Sequence, residues 1–163
     1  MFCVGDKVVH PMHGAGVIDN IVREKIAGCV QEYDVFKMPV GGLVLKIPVA
    51  SEQMVGLRGI IQPCQASALL LAIPELDYEI TANWSQRYRE NMQRLKSGDL
   101  YEVSRVIKAL LARDLQRGLS TGERKMLHTA RQILVSELVL SMGADSREIE
   151  NRINAAMLGD KVG

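Results

Sequence analysis

The spacing of apolar residues changes once along this chain, near Pro63, and that change calls for two differently built halves. Before it, short β-branched runs at residues 4–10, 14–22, 30–38 and 43–48 alternate with turn signals, and more than half of the 14 glycines fall here. Ala27-Gly28 and Gly41-Gly42 read as hairpin turns, because a two-residue turn uses left-handed backbone that glycine adopts without strain. After Pro63 the apolar residues recur every three to four positions. A short helix over about 65–71 is expected, then Pro74 and an acidic linker within about 74–82. Four longer helices follow. The first runs over 84–96 and stops at Ser97-Gly98. The second follows Asp99, stripes Leu100, Val103, Val106, Ile107, Leu110 and Leu111, and ends at Gly118. The third opens on a capping box, Ser120 with Glu123, and carries Leu127, Ala130, Leu134 and Leu138. The last starts at a second box-like run, Asp145 to Glu148, with Ile149, Ile153 and Met157 on one face. The expected fold is α+β in two domains. Residues 1–62 make a small, strongly bent antiparallel β barrel, and residues 63–163 a compact all-helical bundle.

Composition removes several function classes. The chain carries 20 basic and 19 acidic residues, so it is not grossly polybasic. Charge is nevertheless uneven, with 11 basic residues against 5 acidic ones between Asn83 and Arg131. A phosphate-facing patch has this pattern, and so does a solvated helix face. Cys3, Cys29 and Cys64 are odd in number, widely spaced and without a CxxC, which fits a reducing compartment. No run approaches the roughly 18 apolar residues of a membrane span, and the chain opens without a signal-like segment. The expectation is a soluble, cytoplasmic protein. His10, His13 and Cys3 are too few to close a metal site, and His128 has no nucleophile in a recognisable elbow. No phosphate-loop, dinucleotide or zinc-protease motif is present. No cofactor, no metal and no enzymatic activity are expected.

Three stretches point to binding. Trp84, the only tryptophan, follows Asn83 in what reads as a helix-opening turn, and Asn83 is a good N-cap. Arg87 and Tyr88 fall three and four positions later, on the same face. A flat apolar group beside guanidinium groups suits a base step and its flanking phosphates. The alternative is an ordinary core tryptophan. Arg124 and Lys125 sit in the first turn of the third helix, where positive charge opposes the helix dipole. A phosphate would answer both, with the Thr121 and Gly122 N–H groups free to join. The third stretch is 43–48, bounded by Gly-Gly and Pro. It reads either as an edge strand, a template for a partner's strand, or as a strand paired inside the barrel.

The run Val4-Gly5-Asp6-Lys7-Val8-Val9-His10-Pro11 with Gly14 and Lys46-Ile47-Pro48 resembles the N-terminal half of the CarD/CdnL family of bacterial transcription regulators. Asn83 to Tyr88, Ser97-Gly98-Asp99, Arg113 to Ser120, Glu123 to Leu127 and Ala130 to Leu134 resemble its second half. The resemblance implies a Tudor-like domain that docks on the RNA polymerase β subunit by edge-strand pairing, a module similar to one in the transcription-repair coupling factor. It also implies a helical domain that contacts promoter DNA at the upstream edge of the transcription bubble. Carried onto this chain, Trp84 is the minor-groove wedge. Arg87, Arg89 and Arg124, with Lys125, are its basic neighbours, and Lys46, with Pro48 ending its strand, meets the polymerase. One departure is Glu24, flanked by Arg23 and Lys25, where some members carry a second polymerase-contacting arginine. Either a flanking base replaces it or the polymerase surface differs. The combined expectation is a monomeric factor without catalysis that stabilises the open promoter complex through contacts that do not read sequence. Two other readings are a polymerase-docking adaptor whose helices bind another protein, and a freestanding DNA-binding protein.

Overall fold

A computed structural model describes residues 2–159. Five antiparallel strands come first: β1 (Lys7–His10), β2 (Gly14–Ile26), β3 (Cys29–Lys37), β4 (Val44–Pro48) and β5 (Arg58–Gly59). Their order is β4-β3-β2-β1-β5, so β4 and β5 are the sheet's two ends. Val8, Ile18, Phe36, Met38 and Ile47 form the β core. The β2–β3 hairpin turns at Ala27-Gly28, as the sequence predicts, with both residues at positive φ and Ile26 paired to Cys29. The expected two-residue hairpin at Gly41-Gly42 is instead a longer loop. The last ladder pair is Lys37 with Val44, and the Met38 N–H closes the loop on the Leu43 carbonyl at 2.8 Å. The next residue is Pro39, which has no N–H to extend the ladder.

Six helices are described: α1 (Glu52–Val55), α2 (Pro63–Ala72), α3 (Trp84–Lys96), α4 (Leu100–Arg117), α5 (Thr121–Met142) and α6 (Ser146–Met157). Asn83, Asp99 and Ser120 cap α3, α4 and α5 with their side chains, each accepting an N–H of the first turn. The two expected boxes do not close. Asp145 makes no side-chain cap bond, and the Glu123 carboxylate is taken up by Arg87. A reciprocal box forms where none was expected, between Gln62 and Gln65 at the start of α2. The helical core is built from α2 and α3–α6 around Leu69, Leu95, Ile107, Leu110, Leu134, Leu138, Ile149 and Ile153.

The 74–82 linker is pinned to the bundle. Lys108 Nζ donates to the carbonyls of Ile73, Pro74 and Leu76 at 2.7, 3.1 and 3.0 Å, and it lies over the Tyr78 ring. Burial lowers the pKa of this lysine, against the pull of Glu75 and Asp77. One of the cations counted toward a basic centre is therefore an internal staple.

The two halves join along α5. Ser136 Oγ accepts the Ala15 N–H at 2.8 Å. Glu137, fully buried, receives both terminal nitrogens of Arg58 at 2.7 and 2.8 Å and the Ile61 N–H at 2.9 Å. Ser141 Oγ donates to the Ile61 carbonyl at 2.7 Å. Gly14 has to be glycine here. Its φ is +115°, and a Cβ would lie 2.3 Å from Ser136 Oγ and 3.2 Å from the α5 backbone.

Candidate nucleic-acid interface and docking edge

Trp84 opens α3 and stands out from it. Its side chain is 47 % exposed, so it is not the core tryptophan of the alternative reading. Its orientation is nevertheless held from two sides. The indole stacks on Tyr88, one turn along, with ring centroids 5.3 Å apart and planes 21° apart. The indole Nε1–H donates to Ser120 Oγ at 3.2 Å, joining α3 to the start of α5. Both rings lie over Gly122, where an added Cβ would be 3.6 Å from Tyr88 and 3.8 Å from Trp84.

Arg87 occupies a different place from the one expected. Its side chain is 4 % exposed. Nε and Nη2 donate to the two carboxylate oxygens of Glu123 at 2.9 and 3.3 Å, and Nη1 donates to the Thr81 and Ala82 carbonyls at 2.8 and 3.1 Å. With its donors taken up inside the protein, Arg87 has no face for a phosphate and is withdrawn from the expected DNA contacts. The sequence placed it on the Trp84 face from helix geometry alone. That geometry did not reveal Glu123, 36 positions away, which draws it inward. Burial alone would raise the Glu123 pKa, but the hydrogen bond and charge of Arg87, together with Arg113, outweigh it and hold the carboxyl below its ordinary range.

The other expected cations face solvent. Arg89, Arg124 and Lys125 are exposed, and among the described residues none has an ion-pair partner. Arg124 and Lys125 follow Gly122 in the first turn of α5, so they lie at the same end of the bundle as the indole. Arg94 and Arg105 are engaged with Glu102.

At the far end of the β sheet, β4 pairs only with β3, from Tyr33–Pro48 to Lys37–Val44. The edge reading of 43–48 is thus the one realised. Lys46 is exposed on this strand and its ammonium is paired with Glu24. Arg23 reaches Glu32 across the hairpin at 3.5 Å, and Pro48 ends the strand half-buried. Beneath the same strand pair, Asp34 is fully buried opposite Ile47, beside Glu52. Its oxygens find no donor among the described residues unless one carboxyl carries a proton for the other. Burial, with the hydrogen bond and charge of Glu52, raises Asp34 to about 7.

His10 and His13 lie with ring centroids 4.5 Å apart, and His10 Nδ1 accepts the Met12 N–H at 3.2 Å. Burial and the neighbouring His13 lower His10 to about 4. No cluster of three or more His, Cys, Asp or Glu suited to a metal is found among the described residues. No described helix is long and apolar enough to cross a membrane.

The fold defines a class, a small open antiparallel sheet locked to a helical bundle. Residues 2–61 match the CarD-like/TRCF RID domain and residues 70–154 the CarD C-terminal domain. The chain belongs to the CarD family and is a transcription factor that interacts with RNA polymerase. It is 28 % identical over 151 residues to the candidate transcription factor YdeB of Bacillus subtilis (strain 168), a match covering 93 % of this chain and 99 % of that protein.

Proposed function

We propose that the chain docks on the RNA polymerase β subunit through the β4 edge and stabilises the open promoter complex by setting Trp84 against the upstream edge of the bubble. The observation that carries this reading is the indole itself. It is a large, exposed apolar plane held on two sides at one end of a helix pair, with unpaired cations close by. A wedge of this kind costs little where the duplex is already distorted, and it resists re-annealing. Arg89, Arg124 and Lys125 would position the strand through phosphates without reading sequence, leaving polymerase to decide where the factor acts. Such a factor works as a monomer, in the cytoplasm with its polymerase.

The test is the lifetime of open complexes on purified bacterial RNA polymerase, with the native chain and with Trp84→Ala. A longer lifetime with the native chain, lost in a folded Trp84→Ala variant, supports the wedge. An unchanged lifetime despite polymerase binding favours the adaptor reading. Leu71 on α2 and Leu115 on α4, both largely exposed, are where a second protein would then be sought.

A further inference from the structure

With Arg87 committed to Glu123, a different guanidinium stands at the expected place. Arg113, near the end of α4, aims Nε at Glu123 Oε1 from 3.7 Å, too far for a hydrogen bond. That Nε is buried and has no acceptor among the described residues. Glu123 is already occupied, because Arg87 takes both of its oxygens and Ser120 Oγ lies 3.4 Å from one of them. Its single negative charge therefore faces two guanidinium groups, and the cluster keeps one net positive charge.

That surplus lies next to the indole. Glu123 contacts Ser120, and Ser120 holds the Trp84 N–H. Arg113 is 22 % exposed where Arg87 is 4 % exposed, so part of its fork reaches solvent. Its outer nitrogens donate to no acceptor among the described residues. Arg117 follows four residues later on the same face of α4, exposed, and Asp114 between them, also exposed, forms no ion pair with either arginine among the described residues. An arginine with unused donors beside a cluster of surplus positive charge is matched by an anion from outside, and its planar fork suits two phosphate oxygens.

We propose that Arg113, in place of Arg87, makes the guanidinium–phosphate contact beside Trp84, with the strand lying across the last turns of α4 and the first turn of α5. This rests on the reading that the helical half meets promoter DNA. The competing account is that Arg113 serves only as a second, internal counter-charge for Glu123.

The experiment measures how much tighter the full chain binds polymerase carrying a fork-junction duplex than polymerase alone, across a salt series. Arg113→Gln leaves Glu123 its Arg87 partner, so the fold is expected to hold. The salt slope of the DNA increment should fall by about one, as for one lost phosphate contact. Arg113→Lys should keep most of it. A native slope in Arg113→Gln overturns the proposal. Should Arg113→Gln fail to fold, phenylglyoxal labelling of the native chain decides: protection of Arg113 by the fork duplex supports the contact, and equal labelling with and without DNA overturns it. If the native chain shows no DNA increment at all, the DNA reading itself falls. If Arg124→Gln lowers the slope and Arg113→Gln does not, only this inference falls.

Discussion

Ser120 Oγ receives the Trp84 indole N–H at 3.2 Å while accepting the Glu123 N–H as the cap of α5. One hydroxyl thus starts a helix and steadies the exposed ring. Ser120→Ala should lower stability by about 1 kcal/mol through the lost cap. Steady-state anisotropy of the single tryptophan should fall as well, since the ring keeps only its stack on Tyr88. An unchanged anisotropy would show that the stack alone orients the indole.

The Arg87–Glu123 pair makes a sharper prediction. Arg87→Ala leaves the buried Glu123 carboxylate only the Ser120 hydroxyl at 3.4 Å and the Arg113 Nε at 3.7 Å, and should destabilise the chain by roughly 3 kcal/mol or more. Replacing both residues with apolar side chains of similar size should recover much of that loss. Urea denaturation of the single and double variants is the check, and additive losses would contradict it.

Gly14→Ala places a Cβ where Ser136 Oγ and the α5 backbone already are. The β half should come away from α5, while each half keeps its own core. Calorimetry should show one transition in the native chain and two in the variant. A single transition at nearly native temperature would mean that the interface absorbs the methyl group.

Asp34 sets a pH dependence of defined sign. Its folded pKa, about 7, lies above its ordinary value of 3.8, so the folded state holds a proton that the unfolded chain releases. The stability contributed by this group is full below about pH 4, declines as pH rises through 4–7, and levels off above. Asp34→Asn should be more stable than the native chain at pH 8, on the order of 1 kcal/mol for each pKa unit of the shift. The two should converge toward pH 4. Urea midpoints from pH 4 to 8 would show this, and a native stability gain relative to Asp34→Asn with rising pH would refute it.

On the docking edge, Lys46→Glu should weaken polymerase binding roughly tenfold, chiefly through slower association, because the charge lies at an exposed rim. Glu24→Gln releases Lys46 from its pair and should not mimic that loss. Interferometry with immobilised polymerase separates the two. Equal loss in both variants would make Glu24 itself the contact.

What was legible in the sequence was local. Asn83 and Ser120 were readable as caps because a cap needs only its own first turn. The Ala27-Gly28 turn was readable for the same reason. What failed depended on distant partners. Glu123 looked like half of a capping box, but a tertiary ion pair outcompetes a local hydrogen bond to a solvated N–H. The Gly41-Gly42 loop lengthened because Met38 turns into the β core and Pro39 cannot pair. The roles of Ser136 and Glu137 depend on partners in the β half, and their only local signal is a polar pair inside the apolar run 133–140. A helix face that is apolar nearly all round has no water to give a carboxylate, so a partner from elsewhere in the chain had to exist.

Helix α5 holds the tryptophan's tether at Ser120 and the β half's anchor at Glu137 on one uninterrupted rod. Seventeen residues at about 1.5 Å each put roughly 25 Å between them, with no hinge in the path. The molecule is in this sense a ruler. Inserting one residue between those points would shift one end by about 1.5 Å and rotate it by roughly 100°. A chain with every contact residue intact would then present its indole to the wrong side of whatever its β half had grasped.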